Sequence, residues 1–227
     1  MTLHKPNIDV TFKTLATSFN ARNANKNVIL IIKDDTVKTF TKKVYTRLTD
    51  VTDSTNYTAA NFQAIKDCFV SNIRQCTVIR MDATDGVIAD ALAIVGGLEA
   101  GYVGILSSVA TDQQAVAAWI KTQEEAKKSF KGIVYSPTTP PDSREVLNFT
   151  NTQVTFKDVS RGQADAWQFI PSLLGYIAGR DTDEGATYLV MENLESVVEP
   201  TDLDTAINSG QLILFNDSGV VRIVLGI

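Results

Sequence analysis

The feature that most constrains the fold is an alternation of apolar, strand-like runs with helix-like segments. Residues 28–34 (VILIIKD) form a continuous β-branched run, typical of a strand buried on both faces. The runs at 76–82 (CTVIRMD), 102–108 (YVGILSS) and 132–136 (GIVYS) follow, separated by segments with helical periodicity. Strand and helix alternate four times. This pattern predicts an α/β fold, with a mixed or parallel sheet covered by helices.

The helices between these strands have recognisable start and stop signals. Residues 58–72 carry apolar side chains at helical spacing, and residues 84–97 are interpreted as a helix closed by two glycines. Thr111 and Gln114 predict a capping box at the start of the third helix, and Gly132 predicts its end.

The pattern after residue 140 is less regular. Residues 142–150 (DSREVLNFT) are interpreted as a short helix and 153–156 (QVTF) as a strand. Residues 163–179 predict a longer helix that Pro171 should kink or restart. A helix at 201–210, closed by its terminal glycine, follows an extended stretch.

The two ends of the chain carry extended patterns. Residues 1–26 form an arm in which Ile8, Val10 and Phe12 alternate, as in a strand with one buried face, and Leu15 follows. At the other end, a turn signal at 216–219 separates QLILF from an apolar run, which predicts a C-terminal β-hairpin. We therefore expect an N-terminal arm (1–26) and an α/β body (27–227) with a small β-rich portion at 34–57.

Composition and charge exclude several functional classes. The chain is 44% hydrophobic and 21% charged, which is ordinary globular composition, and its net charge of -5 argues against a nucleic-acid binder. Residues 1–60 hold nine Lys/Arg against five Asp/Glu, so the rest of the chain is acidic. A basic start on an acidic body could favour head-to-tail self-association, although solvated charge alone is the simpler interpretation. No signal sequence or membrane-spanning run is present, which predicts a cytoplasmic protein without a membrane segment.

The motifs of enzyme and metal sites are missing. The glycines at 96–104 do not have dinucleotide-binding spacing, and there is neither a Walker loop nor a GxSxG elbow. His4 is the only histidine, and neither Cys68 nor Cys76 has a second histidine to activate it. The acidic stretch 181–192 lacks the glycine that a calcium loop requires. No catalytic, cofactor-binding or metal residue is predicted, and no cofactor is expected.

An ordered set of motifs resembles a known family. The set consists of PNIDVTFKTLA (6–16), LNFTNTQV (147–154), LLGYIAGRDTDEGATYLVMENLESVVEP (173–200), AINSGQLILF (206–215) and GVVRIVLGI (219–227). Their order and spacing are similar to those of contractile phage tail sheath proteins of the PBSX-like prophage and R-type bacteriocin kind. The match covers the whole chain, but the acidic segment 180–185 departs from a short polar turn in the family. Family members also continue with a tube-facing domain and a C-terminal arm, both expected to be absent here.

The resemblance implies a structural subunit rather than an enzyme. Such subunits form stacked hexameric rings around a tail tube, contact the baseplate and tail terminator, and contract to drive the tube through a cell envelope. The expected location is a virion tail or phage-tail-like particle, assembled in the bacterial cytoplasm. Extended arms of neighbouring subunits add strands to a sheet edge. The candidate subunit-interface residues are Ile8, Val10, Phe12, Leu15, Val220, Val221, Ile223, Val224 and Leu225.

Two alternatives remain open from the residues themselves. One is an α/β enzyme or a small-ligand-binding domain with an unrecognised site. The other concerns the arm, which could equally be a strand of the chain's own sheet.

Overall fold

The fold is built on a seven-stranded sheet in the computed structural model, which describes residues 26–181 and 184–224. The twelve strands are β1 (Asn27–Lys33), β2 (Lys42–Tyr45), β3 (Gln75–Met81), β4 (Tyr102–Leu106), β5 (Lys131–Tyr135), β6 (Val146–Phe149), β7 (Gln153–Phe156), β8 (Gln163–Asp165), β9 (Leu194–Val197), β10 (Gln211–Leu212), β11 (Leu214–Asp217) and β12 (Val220–Ile223). The large sheet has the order β10-β6-β5-β4-β1-β3-β2. All of its pairings are parallel except that of β2 with β3.

Five α-helices accompany the strands in the described ranges. They are α1 (Ala59–Asp67), α2 (Ile88–Gly96), α3 (Ala110–Glu125), α4 (Ile170–Ala178) and α5 (Leu203–Asn208). Chain order and sheet order together show that β1 lies in the interior of the sheet, with β3 on one side and β4 on the other. The chain therefore reverses its direction of winding at β1, as in doubly wound folds.

The central strand β1 separates two hydrophobic cores. Its side chains alternate across the sheet, so Val28, Leu30 and Ile32 face one core while Ile29 and Ile31 face the other. The first core contains residues of α1 and α4, and the second contains residues of α2 and α3. The uninterrupted apolar run at 28–32 thus follows from burial on both faces.

Helix α4 forms the centre of the first core. All nine of its residues are buried, because the large sheet lies on one side of the helix and a smaller β layer on the other. That layer combines the three-stranded sheet β8-β7-β9 with the hairpin β11-β12. A Cβ at Gly175 would lie only 2.4 Å from the carbonyl oxygen of Cys68, so glycine permits the close approach of α4 to the end of α1.

The predicted fold class is confirmed: the sheet is mixed, helices cover it, and a C-terminal hairpin is present. Pro171 restarts the chain as expected, because α4 begins at Ile170 after a 3-10 turn. The segment before this turn is the short strand β8 rather than helix. Residues 34–57 contain one strand, β2, which joins the edge of the large sheet. Residues 1–25 of the N-terminal arm lie outside the described residues.

Three local predictions are wrong. The stretch 142–150 contains the strand β6 and no helix, because Val146 and Phe149 are buried beside β5 and tertiary pairing outweighs local preference. Helix α3 begins at Ala110 without a side-chain cap, so Thr111 and Gln114 do not form the predicted capping box. The helix also ends at Glu125, well before Gly132.

Candidate assembly surface

The C-terminal hairpin contains the described part of the predicted interface. Strands β11 and β12 pair from Leu214 with Ile223 to Asp217 with Val220. Ser218 and Gly219 form the two-residue turn with φ values of 50° and 87°. Two positive φ values are typical of a type I′ turn, whose twist matches that of paired strands. The predicted hairpin is therefore confirmed, although only Leu214 and Phe215 of the predicted first strand belong to the pair.

The predicted interface side chains fall into three groups. Val221 and Ile223 are fully buried in the first core, so their side chains stabilise the chain itself. Val220 and Val224 are half-buried. Leu225 and the four arm residues Ile8, Val10, Phe12 and Leu15 lie outside the described residues.

Both backbone edges of the hairpin are already occupied. On the β12 side, the amides of Tyr188 and Met191 donate to carbonyls of β12, and Ile223 donates to the carbonyl of Leu189, with N···O distances of 2.8–3.0 Å. Arg222 also forms a bridge with Val190. The segment 188–191 therefore covers this edge.

Asparagine side chains occupy the β11 side. The amide of Asn151 accepts from the backbone nitrogen of Leu214 at 2.8 Å and donates to the carbonyl of the same residue at 2.9 Å. Asn216 makes the same two bonds to Val197, at 3.0 and 2.9 Å. A side-chain amide has the donor and acceptor of a peptide group, so each asparagine replaces a residue of a neighbouring strand.

A third asparagine repeats this arrangement inside the large sheet. Asn148, on β6, accepts from the backbone nitrogen of Ser136 at 2.9 Å and donates to its carbonyl at 3.0 Å. Asn148 and Asn151 both belong to the motif LNFTNTQV, which the sequence analysis used only for family resemblance. The sequence analysis missed one signal, which is the presence of asparagine within a strand and just beyond its end. Asparagine is depleted in strands, so its presence there is unusual.

The opposite edge of the large sheet is different. Among the described residues, no strand pairs with the outer side of β2. Val44 on this strand is 47% exposed and the nearby Leu48 is 50% exposed. Tyr45 faces inward and donates a hydrogen bond to Asp53, which also binds Lys43. The β2 edge is thus anchored from inside, and no described strand covers its outer side.

The carboxyl edge of the parallel strands is where an α/β enzyme would carry its site. Lys33, directly after the apolar run of β1, forms an ion pair with Asp112 at 2.6 Å, and the same carboxylate accepts from Ser107 at 2.5 Å. Gln113 bridges β4 and β5 by donating to two carbonyls and accepting from the backbone nitrogen of Tyr135. These side chains bind one another and the backbone, so they hold the strand ends together.

Two further side chains at this edge also have structural partners. Asp34 accepts from Asn61 and from the backbone of Thr58, and although burial raises its pKa, these hydrogen bonds outweigh burial and lower it. Arg80 donates to Asp82 at 2.6 Å and to the carbonyl of Asp34 at 2.7 Å. Neither arrangement leaves a group aimed at a substrate.

A groove of about 330 Å³ lies beside the start of α1. Arg161 stacks on Phe156 at 3.4 Å and pairs with the buried Asp67 at 2.7 Å. Burial raises the pKa of Asp67, while Arg161 and Gln63 oppose that increase. The arginine of the groove is therefore paired with a buried carboxylate, and the lining Asp158 accepts from the backbone and hydroxyl of Ser160.

The described ranges contain neither a candidate metal site nor an exposed cysteine. No group of three or more His, Cys, Asp and Glu side chains could hold a metal ion there. Cys68 and Cys76 are fully buried, and burial raises the pKa of the Cys68 thiol. His4 lies outside the described residues. In the same ranges, every helix is too short or too polar to cross a membrane.

Comparison with known proteins gives a consistent result. No protein-family model matches the sequence. The tail sheath protein of Clostridium phage phiCD119 is 28% identical over 232 aligned residues, which include 97% of this chain and 62% of that protein. The chain thus spans less than two thirds of this relative's length.

Solved structures share the fold. A sheath tail protein from Listeria innocua superposes with a TM-score of 0.74 at 11% identity, covering 92% of this chain and 71% of that one. The helical sheath of the anti-feeding prophage in its contracted state gives a TM-score of 0.66 at 14% identity, covering 86% and 60%. The predicted resemblance is therefore confirmed: the chain is similar to a phage tail sheath protein over almost its whole length and has the fold of solved contractile sheath proteins.

Proposed function

We propose that the chain is a structural subunit of a contractile tail sheath, with residues 27–227 forming its outer body. The observation that carries the proposal is the similarity to a phage tail sheath protein across 97% of the chain. The carboxyl edge of the sheet supports a structural role, because its polar side chains bind each other and the backbone.

In the proposed assembly, copies form hexameric rings stacked around a tail tube and contract to drive the tube through a target envelope. The proposed partners are other copies, the tail tube, the baseplate and the tail terminator. We assign the contact with the tube to a C-terminal domain outside this body. The particle is a virion tail or a phage-tail-like particle assembled in the bacterial cytoplasm.

The arm 1–26 is the proposed donor of a strand to a neighbouring copy. Backbone hydrogen bonds between strands depend little on side-chain identity, so such a link can persist while subunit bodies rotate against each other. In β12, the backbone edge is occupied and Val221 and Ile223 are buried. The residues that we propose to contact a neighbouring copy are therefore only Val220, Val224 and Leu225.

The test is to express the chain as its native gene encodes it, alone and together with the tail tube protein. Electron microscopy and sedimentation should show rings, tubes or sheath-like polymers. A monodisperse monomer at high concentration, with and without the tube protein, would contradict the proposal.

A further inference from the structure

A second groove, of about 460 Å³, lies between the segment 187–192, the end of α4 and the loop after α1. Its apolar lining includes Val70, Leu189 and Val190. Glu192 lies on its rim and is exposed. The groove therefore combines an apolar lining with an acidic rim.

The described chain begins beside this groove. The carbonyl of Lys26, the first described residue, accepts from the backbone nitrogen of Arg74 at 2.9 Å, and its Nζ pairs with Asp181 at 2.6 Å. These two partners are close in sequence to Ser71 and Arg180, which both line the groove. The chain that precedes Lys26 therefore starts at the rim of the groove.

The backbone of Val190 is open towards the groove. Val190 forms an antiparallel bridge with Arg222 of β12 in which the flanking residues make the hydrogen bonds, so its own N–H and C=O point away from β12. Within residues 26–181 and 184–224, neither group forms a hydrogen bond. No residue of β12 lines the groove, which places the groove on the side of these two groups. An unpaired donor and acceptor at this position fit the backbone of an added extended segment.

Charge distinguishes the candidate occupants of the groove. The stretch 181–192 contains four Asp/Glu and no Lys or Arg, and Glu192 forms no ion pair in the described ranges. Residues 1–25 contain three Lys/Arg and one Asp, with Arg22 close to the start of the described chain. The segment before Lys26 is thus the part of the chain that complements the groove in charge as well as in position.

The residues directly before Lys26 also have a suitable pattern. In residues 19–25, called the arm root, the apolar Phe19 and Ala21 alternate with the polar Asn20 and Arg22. Such alternation is typical of an extended segment with one buried face. Seven extended residues span at most about 24 Å, so the arm root reaches across the groove from its rim.

We propose that the arm root lies in this groove of its own chain and pairs with the backbone of Val190. Phe19 and Ala21 face the apolar lining, and Arg22 pairs with Glu192. Backbone hydrogen bonds supplemented by side-chain contacts are how extended segments bind to a sheet edge. The contact goes beyond the proposed function, because it fixes the place from which residues 8–15 leave the body.

Hydrogen exchange tests the backbone pairing. In the full chain, the amide hydrogen of Val190 should exchange about tenfold or more slowly than in the variant Phe19→Asp/Arg22→Glu. Leu3→Asp/Lys5→Glu is the matched control, since it makes the same change in net charge outside the arm root and should leave the exchange slow.

The amide hydrogen of Met191, which donates to β12, is the internal reference and should exchange at the same rate in all three chains. If Val190 exchanges equally fast in the wild type and the arm-root variant, or if Met191 accelerates together with it, the inference is overturned. The same protection at two protein concentrations shows that it arises within one chain.

Exchange of charges tests the ion pair. Arg22→Glu alone should accelerate the exchange of Val190, and the addition of Glu192→Arg should restore slow exchange, because opposite charges then face each other again. Arg22→Glu/Glu125→Arg has the same net charge, with the new arginine at an exposed position on α3, and should not restore it. Equal exchange in these two double variants overturns the pairing of Arg22 with Glu192.

Cross-linking identifies whose arm root occupies the groove. Because both native cysteines are fully buried, Arg22→Cys/Glu192→Cys adds two reactive thiols, which a short bismaleimide should link within one chain at any protein concentration. Lys5→Cys/Glu192→Cys is the control and should give little of this product. Linked dimers in place of linked monomers would show that another copy supplies the segment, which overturns the inference.

The outcomes are independent of the proposed function. A failure of the exchange and cross-linking experiments removes the contact of the arm root but leaves a sheath role in place. A wild type that stays monomeric with the tube protein contradicts the sheath role, whereas slow exchange of Val190 in the same sample still supports the contact.

Discussion

The hairpin and strand β2 both lie at the periphery of the fold, but they differ in whether their backbone edges are covered by described residues. Both edges of the hairpin are covered, one by the segment 188–191 and the other by the amides of Asn151 and Asn216. The outer side of β2 has no strand partner among the described residues, and its side chains are partly exposed. An unpaired edge invites pairing with another chain. The difference indicates that the hairpin belongs to the core of the fold, whereas β2 is an edge whose outer side no described strand covers.

The largest expected effect is at Asn151. Replacement by alanine leaves the buried backbone nitrogen and carbonyl of Leu214 without partners, and the carbonyl of Val198 also loses a bond. We expect a loss of about 2–4 kcal/mol in the free energy of unfolding, measured by urea denaturation. Asn208→Ala, at an exposed position on α5, is the control and should change stability little. Equal losses in both variants would show that Asn151 does not hold the hairpin.

A smaller effect is expected at Val221. Its side chain is fully buried in the first core, so Val221→Ala removes apolar contacts and leaves a cavity. The expected cost is about 2 kcal/mol, seen as a lower midpoint of urea unfolding with an unchanged slope. A change below about 0.5 kcal/mol would place this residue at the surface and reverse the assignment of the hairpin to the core.

The anchoring of the β2 edge predicts a pH effect. Burial acts to raise the pKa of Asp53, but hydrogen bonds from Lys43, Tyr45 and Asn56 outweigh it and lower that pKa. The carboxylate therefore stabilises the fold above its unfolded-state pKa of about 4, and this contribution is lost as the pH falls through the lower folded value.

Asp53→Asn should accordingly cost about 1–2 kcal/mol at pH 7 and less at pH 3. The measurement is urea denaturation at both pH values for the variant and the wild type. Asp142→Asn, at an exposed position, serves as the control. A cost that does not depend on pH would show that the ionised carboxylate is not the stabilising form.

The smallest expected effect is at Val44. Since this side chain is 47% exposed, Val44→Ala should change the free energy of unfolding by no more than about 0.5 kcal/mol. It should still weaken self-association, because the side chain lies on the edge strand β2, whose outer side no described strand covers. Unfolding and sedimentation measured on the same sample separate the two effects. A stability loss as large as that of Val221→Ala would remove the contrast between the two regions.

Much of the α/β body could be predicted from the sequence, because its strands and helices are dictated by local apolar patterns. The apolar run at 28–32 has no polar face, so it was identifiable as a strand buried on both faces. The type I′ turn was equally visible, since Ser218 and Gly219 accept the positive φ values that such a turn requires. The same local signals misassigned β6, whose strand conformation depends on its pairing with β5.

The candidate surface was less predictable. The sequence drew attention to the apolar residues of β12, but whether a valine faces its own core or a partner depends on which elements pack over it. Val221 is buried because β12 lies against β9 and the segment 188–191.

The sequence by itself determined the α/β class, the terminal hairpin and the resemblance to tail sheath proteins, because periodicity, turn residues and ordered motifs are local properties. The tertiary structure alone decided which edges are covered and which remain open. The asparagine bonds Asn151–Leu214 and Asn216–Val197 join residues that are 63 and 19 positions apart. The strand order, which places β2 and β10 at opposite edges, likewise depends on contacts that no local pattern encodes.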